Sequence, residues 1–234
     1  GVSGAGIFTA QFFGQKDDEG VANTFRFKLW MAVLLTGITV LVFLAAGDSL
    51  IAMYLQGSQD GGDPAAALRY GKQYLRIMLA GLLPFMLVQV YASTLRECGQ
   101  TVIPMKAGVM AVFVNLVFNY LLIYGKFGFP ELGVAGAAIA TVLSRYVEAV
   151  IVITWTHKHK EINTFVKGLY ATLKIPGWLI QRILIKGTPL LVNETLWAAG
   201  MALLLQCYSV RGMNVVAGMN ISITISNVFN VVFI

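Results

Sequence analysis

Leu29–Gly47 reads LWMAVLLTGITVLVFLAAG, 19 residues without a charge. As a helix it rises about 28 Å, close to the thickness of the hydrocarbon core of a bilayer. Working outward, Ile77–Leu95 and Ala107–Gly125 are uncharged runs of the same length. Leu132–Thr156 is a fourth run, carrying Arg145 and Glu148; Gly187–Val210 is a fifth, carrying Glu194; Gly212–Ile234 is a sixth, without charge. Gly1–Phe13 reads as the tail of a seventh. The composition agrees, with 57% hydrophobic and 12% charged residues, where a soluble domain has about 25% charged. The pattern predicts an all-α fold, a polytopic transmembrane helical bundle. A start at glycine and an end inside the apolar run Val232-Phe233-Ile234 suggest a piece of a longer polypeptide.

The net charge of +6 follows topology rather than nucleic-acid binding. Lys16, Arg26, Lys28, Arg96, Lys106, Lys158, Lys160, Lys167, Lys174, Arg182 and Lys186 fall in or beside alternate connections. The opposite connections hold Arg69, Lys72, Arg76, Lys126 and Arg211 among Asp48, Asp60, Asp63 and Glu131. The positive-inside rule places the first set in the cytoplasm. Cys98 and Cys207 then lie toward opposite faces and do not pair.

Three segments follow. Residues 1–156 form one group of transmembrane helices, 157–186 a cytoplasmic linker, and 187–234 the first two helices of a second group. In the linker, Phe165, Leu169, Trp178, Leu179, Ile183 and Leu184 alternate with Lys167, Lys174, Arg182 and Lys186 around Pro176-Gly177. That alternation predicts an amphipathic helix on the cytoplasmic membrane surface. Gly57–Pro64 reads as an outer loop, and Pro84 as a kink in its helix.

Glu194 stands five residues past Pro189 in a run with no cation. A carboxylate at membrane depth costs about 2.5–3.5 kcal/mol on insertion scales, so it is expected at a cavity or ion path. The structural alternative is a protonated acid bonded to a neighbouring helix. Asn115 and Asn119 are four apart, on one helical face. Arg145 and Glu148 are i and i+3, placed to neutralise each other, as a structural pair or as a gate contact. Tyr91, Tyr120 and Trp197 offer aromatic faces to a cation or pack against neighbours, and Gln89 and Met86 are candidates for a cavity wall. Gly133, Gly136, Ala137 and Ala140 permit close helix approach. His157 and His159 lack supporting ligands, so no metal site is expected.

Gly125-Lys126-Phe127-Gly128-Phe129-Pro130-Glu131-Leu132-Gly133-Val134-Ala135-Gly136-Ala137-Ala138-Ile139-Ala140-Thr141 closely resembles the fifth-to-sixth helix junction of the multidrug and toxic compound extrusion (MATE) family. Arg96-Glu97-Cys98-Gly99-Gln100-Thr101 with Pro104-Met105 resembles that family's turn between helices four and five. Phe12-Phe13-Gly14-Gln15-Lys16-Asp17 is similar to the exit of its second helix, and Gly187-Thr188-Pro189 through Glu194 to the start of its seventh. The resemblance spans the chain and implies helices two to eight of a twelve-helix, two-lobe transporter, with the first lobe nearly complete and the second truncated.

What the resemblance implies is a secondary antiporter that exports amphipathic, often cationic, drugs in exchange for Na+ or H+ by alternating access. Such a protein is no enzyme and needs no cofactor beyond the coupling ion. It would be a multi-pass monomer in a bacterial inner membrane, with the lipid bilayer and its cargo as partners. The resemblance makes Glu194, Asn115 and Asn119 the cation-coupling set. Glu194 lies about a turn nearer the proline than the family's acid. Asn119 replaces a family aspartate and cannot titrate, which argues against proton coupling there. The alternative is a flippase for a lipid-linked oligosaccharide or cell-wall precursor. That reading needs deep cations, and Arg145, paired with Glu148, is the one such group.

Overall fold

A computed structural model describes residues 2–55, 64–170, 172, 174–209, 211, 215, 218, 219 and 221–226. Among the described residues six α-helices have defined bounds: α1 (Val2–Gly14), α2 (Asp18–Leu55), α3 (Pro64–Glu97), α4 (Val102–Tyr124), α5 (Gly133–Lys158) and α6 (Gly177–Ser209). Among the described residues there is no strand. Five of the six, α2 to α6, are long and apolar enough to cross a membrane. The all-α transmembrane expectation holds. The expected outer loop at 57–64, apart from Pro64 at the start of α3, and most of the run Gly212–Ile234 lie outside the described residues.

The helices run past the uncharged stretches that announced them. α2 begins eleven residues before Leu29, at Asp18, because Asp17 Oδ1 accepts the Gly20 N–H at 2.9 Å and caps the helix. Asp18 and Glu19 then sit in its first turn, where the helix dipole favours acids. α4 tolerates Pro104 in its first turn, where a missing N–H costs nothing. It stops at Gly125, whose φ of 60° lets its N–H return to Leu121 O as an αL cap.

Packing joins α4 to α5, α5 to α3, α3 to α2, and α1 to α2, α3 and α6. Gly136 of α5 lies so close to α4 that a Cβ there would stand 2.6 Å from Leu122 O, the close approach that its small neighbours suggested. α1 and α6 cross at a second such point, where a Cβ on Gly4 would stand 2.8 Å from Gly187 Cα. Around that crossing Leu179 and Ile183 bury against Ala5, Phe8 and Phe27.

The main core sits at the end assigned to the cytoplasm. It comprises Val21, Ala22, Phe25, Ala32, Val90, Tyr91, Leu95, Cys98, Ala107 and Val152, joined by Phe165, Val166 and Leu169 from the linker. This corrects the expected surface helix over the linker. Among the described residues of 159–176 the one helical piece is a short 3-10 turn, Thr164–Val166, and Phe165, Val166 and Leu169 point into the protein while Ile162 and Tyr170 stay exposed. Trp178 to Lys186 belong instead to α6. Arg26 enforces the inward path, donating from Nε to Leu169 O at 2.9 Å and from Nη2 to Gly168 O at 3.1 Å. A guanidinium gathering carbonyls from an irregular segment supplies the backbone bonds that no helix provides there.

Candidate functional site

The predicted residues separate into three places. The first is the seam between α4 and α5. Asn119 Nδ2 donates to Asn115 Oδ1 at 3.0 Å, and Asn115 Nδ2 donates to Thr141 Oγ1 at 3.3 Å. Thr141 in turn donates to Ala137 O at 2.9 Å, and Ser144 to Thr141 O at 2.7 Å. The i, i+4 spacing of the asparagines therefore does bring their amides together. Asn119 Oδ1 is buried with no hydrogen-bond partner among the described residues, an acceptor in apolar surroundings that costs about 1–3 kcal/mol if left bare. Asn115, Thr141, Ser144 and Arg145 line a cavity of about 140 Å³ with Gly108, Ala111 and Val112.

Arg145 Nη1 donates to Glu148 Oε2 at 2.8 Å. The predicted pair is present, on the same seam one turn toward the cytoplasm. The guanidinium also stands 5.4 Å from the centre of the Phe85 ring, so α3 contributes to its placement.

The second place is the cytoplasmic core, which holds Tyr91. Its phenol meets His157 Nε2 at 3.0 Å and also the Tyr170 hydroxyl, and its ring packs edge-on to Phe25 at 4.9 Å. At 2% exposure Tyr91 has no free face for a ligand in this structure. Met86 packs against the same core, and Gln89 is half-buried. Of the two histidines near it, His157 is bound to Tyr91, while His159 stacks on Trp155 at 4.5 Å.

The third place is the outer half of α6. Glu194 and Trp197 are exposed there, beyond the stretch that packs on α1 and α2. Tyr120 is exposed on α4 with its ring 5.8 Å from Tyr124. The structure therefore does not bring Glu194, Trp197 and Tyr120 together with the asparagines.

Sequence reasoning missed one constellation. Lys28, counted above as a topological charge, is fully buried in α2. Its ammonium reaches Glu97, Thr94 Oγ1 at 3.1 Å and Ser93 Oγ at 3.4 Å, all on α3. Beside it Cys98 is buried, and burial, reinforced by the Glu97 carboxylate, pushes its thiol up to about 12. The signal available in sequence was the run Ser93-Thr94-Leu95-Arg96-Glu97, polar groups spaced to share a helical face with a cation elsewhere.

The chain is 29% identical over 227 residues to "Probable multidrug resistance protein NorM" of Thermotoga maritima, covering 96% of this chain and 46% of that protein. It is 29% identical over 199 residues to "Probable multidrug resistance protein YoeA" of Bacillus subtilis, covering 83% and 40%. It thus spans somewhat under half the length of the curated relatives it matches. A solved structure described as the inward-facing conformation of a multidrug resistance MATE family transporter of the MOP superfamily superposes with a TM-score of 0.66 and 26% identity. That match covers 80% of this chain and 39% of the other. The MatE family model matches residues 2–121, more than half of the chain, and together with the helical seam and the order of its helices this makes the chain a member of the MatE family.

Proposed function

We propose that the protein is an ion-coupled multidrug exporter, a secondary antiporter moving amphipathic and cationic organic compounds outward in exchange for Na+ or H+. It works by alternating access, as a monomer in a bacterial inner membrane, with no cofactor beyond the coupling ion. The observation that carries this reading is membership of the MatE family, together with similarity to two proteins that are multidrug resistance proteins by name. The polar seam supplies a matching chemistry. Asn119 Oδ1, buried and unbonded among the described residues, is an acceptor for a cation or for the donor of a cargo molecule. Glu194 is the titratable partner in the other half of the chain, able to bind Na+ through oxygen or to carry a proton. Trp197, Tyr120 and Gln89 supply aromatic and amide surface for cargo.

The energetics are adequate. One charge moving down 100 mV releases about 2.3 kcal/mol, and a tenfold ion gradient adds about 1.4 kcal/mol. Together they sustain a cargo gradient of roughly a few hundred-fold per ion. The flippase reading is weaker, because the curated relatives are multidrug resistance proteins by name.

The test is ethidium transport by the full-length protein in everted vesicles under imposed Na+ or H+ gradients. Wild type should transport with one gradient and Glu194→Gln should lose that dependence. Transport unchanged in Glu194→Gln would remove the acid from coupling, and no transport under either gradient would overturn the antiporter reading.

A further inference from the structure

Arg145 lies near the middle of α5 (Gly133–Lys158). A guanidinium keeps its charge even at membrane depth, and where it is not buried it faces water-filled space rather than lipid. Its side chain is 40% exposed and borders the cavity between α4 and α5. At that depth its charge faces the bundle interior or a water-filled cavity rather than lipid.

Hydrogen bonding inside the cavity is one-sided. The hydroxyl protons of Ser144 and Thr141 are directed to backbone carbonyls, and the Asn115 carbonyl already accepts from Asn119. Arg145 gives one nitrogen to Glu148. A guanidinium carries five N–H groups in a planar fork, and no other bond to it is present among the described residues. Phe85 on one side and Glu148 on the other hold the fork in place. Glu148, with its side chain only 11% exposed, offsets part of the charge while engaging one nitrogen of the fork. The spare donors of a partly exposed guanidinium suit an anion, and its fork suits a carboxylate best.

We infer that the α4–α5 cavity is an anion-accepting subsite of the transport path, in which Arg145 takes the carboxylate of a zwitterionic amphiphile. This rests on the reading of the protein as an exporter of organic amphiphiles, and it adds a requirement on cargo charge. The volume of about 140 Å³ is below that of drug-sized pockets, about 300–1,000 Å³. The subsite therefore holds the acidic group while the apolar body lies outside it.

Rhodamine 110 and rhodamine 123 test the inference, because they share one ring system and differ in a carboxylate against its methyl ester. Binding of each to the full-length protein in nanodiscs is read by fluorescence anisotropy, independently of transport. Wild type should prefer the acid. Arg145→Gln should lower the acid-over-ester preference about tenfold, the size expected for one charged hydrogen-bonded contact. Glu148→Gln, which frees the remaining donors, should raise that preference. The same preference in wild type and Arg145→Gln would overturn the inference. Should Arg145→Gln fail to fold, Glu148→Gln decides, and an unchanged or reduced preference there would overturn it equally. Selective acid binding by a wild type that exports neither dye would uphold the subsite and count against the antiporter.

Discussion

Three ion pairs lie among the described residues, and two of them are built in opposite ways. Lys28–Glu97 joins α2 to α3, with the lysine fully buried and every ammonium proton directed to an oxygen on α3. Arg145–Glu148 lies within one helix, its cation 40% exposed beside a cavity and one nitrogen engaged. A charge whose valences close on its own fold is a fastener. A charge with donors left over toward open space is available for work. The distinction comes from the count of hydrogen bonds, since both pairs carry the same formal charges.

The largest expected effect breaks the fastener. Lys28→Met leaves Glu97 beside apolar neighbours without its cation, and losing one partner of a buried pair costs about 3–5 kcal/mol. Unfolding of the full-length protein in mixed micelles by added SDS measures it. Replacing both partners, Lys28→Met with Glu97→Met, should recover most of the loss, because no charge is then stranded. An unrecovered double variant would mean that the pair contributes more than the removal of its own desolvation cost.

A milder perturbation reaches the same pair through α1. A Cβ on Gly6 would overlap Glu97 Oε1, so Gly6→Ala should push the carboxylate off Lys28. The obstacle is the end of a flexible side chain, and the cost should be about 1 kcal/mol, at the low end for overpacking. By contrast Arg145→Gln should cost about 1 kcal/mol in the same unfolding measurement, because Gln keeps an amide donor for the buried Glu148 carboxylate. If Arg145→Gln proved as damaging as Lys28→Met, the contrast between fastener and free donor would collapse.

Much of this was legible in the sequence for a physical reason. Bilayer thickness sets helix length, so five spans announced themselves as long apolar runs, three of them uncharged. Contacts within one helix follow from spacing alone, which is why Asn115 with Asn119 and Arg145 with Glu148 were readable. Lys28 with Glu97, and Tyr91 with His157 and Tyr170, join residues 66 to 79 positions apart, and no periodicity encodes them. The charges that seemed to end α2 misled for a related reason. Asp18 to Lys28 are helical, and the cations of Arg26 and Lys28 are satisfied by the linker and by α3 rather than by solvent. The linker itself was misread because apolar residues that fill a core from a coil alternate with lysines much as a surface helix would.

The two thiols give the smallest effect on stability and still separate the regions. Cys98 adjoins the Lys28–Glu97 pair and is buried; Cys207 is exposed on α6. With its thiol raised to about 12 in the fold, from the usual value near 8.5, Cys98 is protonated at neutral pH and contributes nothing to the pH dependence of stability there. The sign is fixed by which state holds the proton. The folded form keeps it longer, so the contribution is complete below the unfolded value and is lost as pH rises toward about 12. Maleimide at pH 7 should label Cys207 promptly and leave Cys98 unmodified until denaturant is added, since only the accessible thiolate reacts. Gly6→Ala, by loosening Glu97, should speed Cys98 labelling while Arg145→Gln leaves it unaltered. Equal acceleration by both would mean that the seam and the cytoplasmic core open as one unit, and that the second ion pair fastens the lobe as the first does.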